Sequence, residues 1–311
     1  MGKLQGVIAA VATPLADDLT IDRERLVGHC GWLLADGGCD GINLLGTTGE
    51  ATSFAAEARL AAMRAIAKSG LPLDRFMVGT GAAALEDAVR LTAEAKALGF
   101  AGALLLPPFY YKGIDAEGLI AYVEALIGRV GANGLSLYLY HFPQNSGVPY
   151  TIDVVARLRE AHAEVVLGLK DSSGDLEYAA ALARRLEGFA VFPSAEASLG
   201  RARELGFAGC ISATANVTGP FAQRAWSGEA AVARQGLAQA VEIRAAIAQF
   251  PLVAAVKASL ALLTGEPAWR KVMPPLSALS EKQLGALEKA LAVTALMGEH
   301  KAPNPRQARS G

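Results

Sequence analysis

Eight short apolar runs, spaced by roughly 20–35 residues and separated by amphipathic segments, constrain the fold of this chain more than any other feature. The runs lie at 6–12, 41–45, 75–80, 102–106, 135–140, 165–170, 189–193 and 209–213. They are rich in Val, Ile, Leu, Ala and Gly and carry few polar residues, as strands buried on both faces do. Between them, segments at 23–35, 54–68, 85–98, 117–128, 152–161 and 176–186 have the spacing of amphipathic helices. Glycine follows several of these segments, as at Gly37-Gly38, Gly99 and Gly206, where a left-handed residue caps a helix. Eight strands alternating with helices predict an α/β fold, a (β/α)8 TIM barrel. A doubly wound open sheet competes, but it would usually need fewer strands and a separate substrate domain.

After Trp226 the strand signal stops, and 229–249, 251–263 and 276–297 read as helices. The expected organisation is a barrel catalytic domain over 1–226, a C-terminal helical extension over 227–298 and a disordered tail over 299–311. Acids and bases balance to a net charge of −1 and are mixed along the chain, which argues against nucleic-acid binding. No stretch reaches the ~18 apolar residues of a membrane span. The N-terminal residues lack the apolar core of a secretory leader. Cys30, Cys39 and Cys210 have no metal-ligand spacing and suit reduced core thiols in a cytoplasmic protein. The four histidines are scattered, so no metal site is expected.

A barrel draws its active site from the C-terminal ends of its strands. Reading only those positions selects Lys170 at the end of strand six, Tyr140 at the end of strand five and Tyr110 just after strand four. Lys170 closes the run Val165-Val166-Leu167-Gly168-Leu169. Burial there would favour the neutral amine, a nucleophile toward carbonyls; the alternative is a lysine that snorkels to water. Gly46-Thr47-Thr48-Gly49 after strand two suits an anion held by backbone N–H groups and hydroxyls, or else a plain capped turn. A tyrosine beside such a lysine can move protons, and Thr48 is the expected relay partner of Tyr140. For either tyrosine taken alone, an amphipathic core residue with its hydroxyl in water is the better reading. Gly79-Thr80-Gly81-Ala82-Ala83-Ala84 matches a loose dinucleotide pattern, but the next strand ends in Leu106-Pro107-Pro108 rather than in the acid that pattern requires.

Together, Gly46-Thr47-Thr48-Gly49-Glu50, Pro108-Phe109-Tyr110, Tyr140-His141-Phe142-Pro143, Gly168-Leu169-Lys170-Asp171 and Ser212-Ala213-Thr214-Ala215-Asn216 resemble the dihydrodipicolinate synthase / N-acetylneuraminate lyase family of class I aldolases. The resemblance runs from Ala12-Thr13-Pro14 to the C-terminal helices. It implies a homotetramer, a dimer of dimers, whose Lys170 forms a Schiff base with pyruvate or another 2-oxo acid. It further implies that Tyr140 shuttles protons, that Thr47, Thr48 and Gly49 bind the carboxylate, and that Ile211 places a backbone carbonyl near the lysine. Tyr110 would reach the site across a subunit interface. No cofactor and no metal is implied, since the imine itself is the electron sink.

Departures from the family bear on the second substrate. Dihydrodipicolinate synthases carry an arginine shortly after the Tyr-x-x-Pro motif, and Asn145 stands in its place. An amide cannot make a bidentate charged contact. His141, where Asn is frequent, is a candidate for the second substrate, and Tyr111 also replaces an Asn. These changes suggest a polar, hydroxylated aldehyde, as in cleavage of a 2-keto-3-deoxy sugar acid or a 4-hydroxy-2-oxo acid. The alternatives are dihydrodipicolinate synthesis from pyruvate and aspartate semialdehyde, an NAD-linked oxidoreductase using the Gly79 loop, and a non-catalytic sugar-acid sensor.

Overall fold

A computed structural model describes residues 4–299, so the tail expected from 299 onward lies outside the described residues apart from the helix-ending Glu299. Eight strands form one parallel sheet: β1 (Gly6–Ala10), β2 (Gly41–Leu44), β3 (Phe76–Gly79), β4 (Gly102–Leu105), β5 (Leu137–His141), β6 (Val166–Asp171), β7 (Ala190–Pro193) and β8 (Gly209–Ser212). Each strand from β1 to β7 pairs with its sequence neighbour, and β8 pairs with β1. The remaining seam is bridged where the Ala208 amide donates to the Val191 carbonyl at 2.9 Å, giving a nearly closed TIM barrel. All eight expected strands are present, with ends shifted by at most two residues.

Around the barrel run α1 (Arg23–Ala35), α2 (Ala56–Lys68), α3 (Leu85–Leu98), α4 (Ala116–Val130), the short α5 (Pro143–Ser146), α6 (Ile152–Ala161), α7 (Leu176–Arg185), α8 (Ala202–Leu205) and α9 (Ala215–Ser227). Their starts are chemically marked. The side chains of Asp22, Asp115, Thr151 and Asp175 accept hydrogen bonds from first-turn amides of α1, α4, α6 and α7. Each such cap stabilises its helix by about 1 kcal/mol.

Glycines let the barrel interior close. The Tyr138 ring fills the space between β4 and β6, and a Cβ on Gly102 or Gly168 would come within 2.7 or 2.8 Å of it. Ile8, Met77, Leu104 and Phe192 pack in the same interior cluster, each burial contributing about 1.5–3 kcal/mol. Asn216 locks β1 to β8: its Nδ2 donates to the carbonyls of Ala10 and Ala213, and its Oδ1 accepts from the Ala12 amide.

The extension comprises α10 (Ala230–Ile247), α11 (Leu252–Thr264), α12 (Glu281–Ala292) and α13 (Leu296–Glu299) around a core including Ile243, Val256, Trp269 and Leu287. The helix expected to begin at 276 begins instead at Glu281. Ser280 and Gln283 form a reciprocal capping box that sets that start, which leaves residues 276–280 outside the helix. The extension is anchored to the barrel by a fully buried ion pair, Lys257 Nζ to Glu50 Oε1 at 2.6 Å. Among the described residues no single helix is long and apolar enough to cross a membrane.

Candidate active site

Strand alternation sends Gly168 and Lys170 of β6 into the barrel, beside Tyr138 and Tyr140 of the paired strand β5. Lys170 is 3% exposed, and its Nζ stands 4.4 Å from the centroid of the Tyr140 ring. It forms no ion pair among the described residues. The Tyr140 hydroxyl lies 3.1 Å from Thr47 Oγ1 and accepts from Ser172 Oγ at 3.5 Å. Burial pushes this phenol up, but the Lys170 charge and the hydrogen bonds of Ser172, Thr47 and Lys170 outweigh it and hold the phenol below its ordinary value.

The Gly46–Gly49 turn is bracketed by two strained residues, Leu45 at φ 54° and Glu50 at φ 57°. Left-handed backbone at non-glycine residues costs on the order of 1–2 kcal/mol each and persists where surroundings impose it. Here they do. The Glu50 carboxylate is held by Lys257 and by the Met273 amide at 2.6 Å, and Thr13 Oγ1 donates to the Gly49 carbonyl at 2.8 Å. A buried ion pair thus shapes the loop that presents Thr47 and Thr48.

These groups line a cavity of about 320 Å³. Six expected site residues meet there: Thr47, Thr48, Tyr140, Asn145, Lys170 and Ile211. Three do not. The Gly49 carbonyl is spent on Thr13, and a Cβ on Gly49 would meet Thr13 and Val11 at 3.0 Å, so this glycine packs rather than lines the site. His141 follows Tyr140 along β5 and therefore faces the opposite side. Its ring stacks on Tyr178 at 4.3 Å and its Nδ1 accepts from the Tyr150 amide at 3.1 Å. Burial, opposed by Asp175, pushes its pKa down to about 4, so it stays neutral as a structural acceptor. Tyr110 is 75% exposed, lies edge-on to Tyr111 and is outside the cavity of its own chain. The expected relay partner also changes, because Thr47 rather than Thr48 is the threonine that reaches Tyr140.

The arrangement is a buried amine without a carboxylate partner, a phenol within its reach and two threonines on one polar wall. It suits covalent chemistry on a small carbonyl acid. A model of the dihydrodipicolinate synthetase family matches residues 3–294. The chain belongs to that family. A DapA-like lyase of Chloroflexus aurantiacus is 33% identical over 93% of this chain and 97% of its own length. The crystal structure of dihydrodipicolinate synthase from Agrobacterium tumefaciens matches with TM-score 0.85 and 30% identity over 93% of this chain and 99% of that one. A prophage protein of the same family from E. coli K12, solved in complex with pyruvate, matches with TM-score 0.85 and 25% identity over 94% and 99% of the two chains. This chain is accordingly a lyase of the dihydrodipicolinate synthetase family.

The structure also brings in groups that strand-end positions alone do not mark. Ser172 and Ser194 line the cavity just past β6 and β7. The extension supplies a roof: Arg244 from α10, Pro251 to Ala254 at the start of α11, and Leu276 and Ser277 from the segment before α12. Arg244 Nη1 donates to Glu196 Oε2 at 3.2 Å, Ser212 Oγ at 3.1 Å and Thr214 Oγ1 at 3.0 Å. An arginine inside a helix carries no local signal of such a place. The Gly79 loop proves to be packing: a Cβ on Gly79 would sit 2.1 Å from the Leu45 carbonyl, and Arg59 takes the carbonyls of Gly79 and Gly81.

Proposed function

We propose that this lyase makes and breaks a carbon–carbon bond through an imine on Lys170, with pyruvate or a longer 2-oxo acid as the carbonyl partner. The observation that carries this reading is Lys170 itself, buried at the barrel floor without an acidic partner and 4.4 Å from the ring of Tyr140. The 2-oxo acid docks its carboxylate against Thr47 and Thr48. The free amine of Lys170 adds to C2, and loss of water leaves a protonated imine. In cleavage, Tyr140 takes the proton of the C4 hydroxyl, the C3–C4 bond breaks, and its electron pair moves to the imine nitrogen as an enamine. The aldehyde leaves, C3 is protonated, and water releases pyruvate. Synthesis runs the same steps in reverse.

The substrate class that fits is a 2-keto-3-deoxy sugar acid or a 4-hydroxy-2-oxo acid. The neutral Asn145 at the cavity rim supports this, since it offers hydroxyl groups a partner without demanding an anion at that point. The exposed Tyr110 and Tyr111 support assembly as a homotetramer in which Tyr110 of one subunit extends the Tyr140–Thr47 relay of another. The free, buried Cys30, Cys39 and Cys210 support a cytoplasmic location.

The test is reduction with borohydride in the presence of pyruvate. One adduct per chain on Lys170, with loss of activity, is the expected result. No adduct, or an adduct on Lys257 or Lys271, would overturn the proposal.

A further inference from the structure

Among the described residues, the charged side chains lining the cavity are Lys170 and Arg244, both cationic, and no carboxylate lines it. Lys170 serves one end of a bound 2-oxo acid. Arg244 belongs to the roof, on an element distant in sequence, and its surroundings are built to hold it still.

Behind Arg244 lies Glu196, which is fully buried. Glu196 Oε1 accepts from Ser212 Oγ at 2.9 Å, Thr214 Oγ1 at 2.6 Å and Thr218 Oγ1 at 2.7 Å, and Oε2 faces Arg244 at 3.2 Å. Three hydroxyls on one oxygen keep this carboxylate from swinging into the cavity. Its charge offsets the desolvation of the guanidinium, which is 24% exposed. All three protein hydrogen bonds of Arg244 use one nitrogen, Nη1. The Nε–Nη2 edge has no partner among the described residues. That edge is a planar pair of donors, matched to the two oxygens of a carboxylate.

We infer that Arg244, positioned by Glu196, Ser212 and Thr214, is a subsite for a second carboxylate, so that the substrate is a 2-oxo acid carrying an acid group at its far end. The inference rests on the imine reading of Lys170 and narrows it: the sugar acid is a diacid, cleaved to pyruvate and an aldehyde that keeps the distal carboxylate. Asn145 then handles hydroxyls along the chain while Arg244 holds the end. If Arg244 served only to neutralise Glu196, substrate charge would not sense it.

The experiment compares two six-carbon acids, 2-oxoadipate and 2-oxohexanoate, which differ only in the distal carboxylate. The concentration of each that half-saturates borohydride trapping is measured on the intact protein, with pyruvate as a reference. The wild type should half-saturate with the diacid at a concentration lower by about thirty-fold, the worth of a charged bidentate contact. Arg244→Met should bring that ratio close to one, and Arg244→Lys should leave it in between, since lysine keeps the charge but not the fork. A wild-type ratio within about two-fold of unity, a ratio unchanged in Arg244→Met, or trapping of pyruvate but of neither six-carbon acid would overturn the subsite. If Arg244→Met does not fold, the wild-type ratio and its change in Arg244→Lys decide. Absence of any adduct with all three acids would refute the imine itself, a different failure.

Discussion

Among the described residues two lysines are buried, and their surroundings differ in the one respect that matters. Lys257, at the junction of barrel and extension, is fully buried 2.6 Å from the equally buried Glu50. Lys170, on the barrel floor, is nearly as buried but faces a phenol and two threonines instead of an acid. The Lys257 nitrogen is spent on the Glu50 carboxylate, whereas Lys170 has no acid partner among the described residues. Burial alone therefore does not mark a nucleophile. The division of labour is also spatial, since the Lys257–Glu50 pair shapes the strained turn that presents Thr47 and Thr48 to Lys170.

The sharpest way to break this comparison is to exchange the roles. Lys170→Ala should abolish the borohydride-trapped adduct and lower turnover by at least about a thousand-fold, as removal of a covalent nucleophile does. Thermal melting should change little. Tyr140→Phe keeps the ring beside Lys170 and removes the hydroxyl. It should slow turnover by about 10²–10⁴-fold, measured as pyruvate release, while the adduct still forms slowly on Lys170. Lys257→Met reverses the pattern. It leaves Glu50 buried without a counter-ion and should cost about 3–5 kcal/mol in denaturant unfolding, with any adduct still on Lys170. A melt unaffected by Lys257→Met would contradict the structural role given to the pair.

The smallest effect concerns pH. His29 and His141 are both pushed down to about 4 by burial, opposed by Asn216 and Asp175 respectively. Both are neutral in the folded chain, while the unfolded chain takes up protons near pH 6.5. The unfolded state then binds more protons, so stability present above about pH 6.5 is lost as pH falls toward 4. Denaturant midpoints measured from pH 7 to 5 should fall, and His141→Asn should flatten the slope. A midpoint constant over that window would show that these histidines do not titrate as described.

Much of the fold was legible because parallel strands are buried on both faces and so leave continuous apolar runs. The cavity floor was legible for a related reason: a barrel gathers successive strand ends on one face, so Thr47, Tyr140, Lys170 and Ile211 could be read from position alone. The errors were errors of facing. His141 follows Tyr140 and points the other way, Gly49 turns its carbonyl to Thr13, and Thr47 rather than Thr48 meets the phenol. At a strand end or turn, neighbouring residues share a motif but not a side. The roof was not legible at all. Arg244 lies 48 residues from Glu196 and 32 from Ser212, inside a helix whose pattern records only which face is buried.

By itself, the sequence determined the strands and helices of the barrel and the lysine near the C-terminal end of β6, because burial periodicity and strand-end position are written locally along the chain. Tertiary structure alone decided which of two adjacent side chains enters the cavity, which buried lysine has an acid partner, and that the extension closes the site with Arg244. Those outcomes depend on contacts such as Lys257 to Glu50, 207 residues apart, and no local pattern encodes a partner that packing brings from so far away.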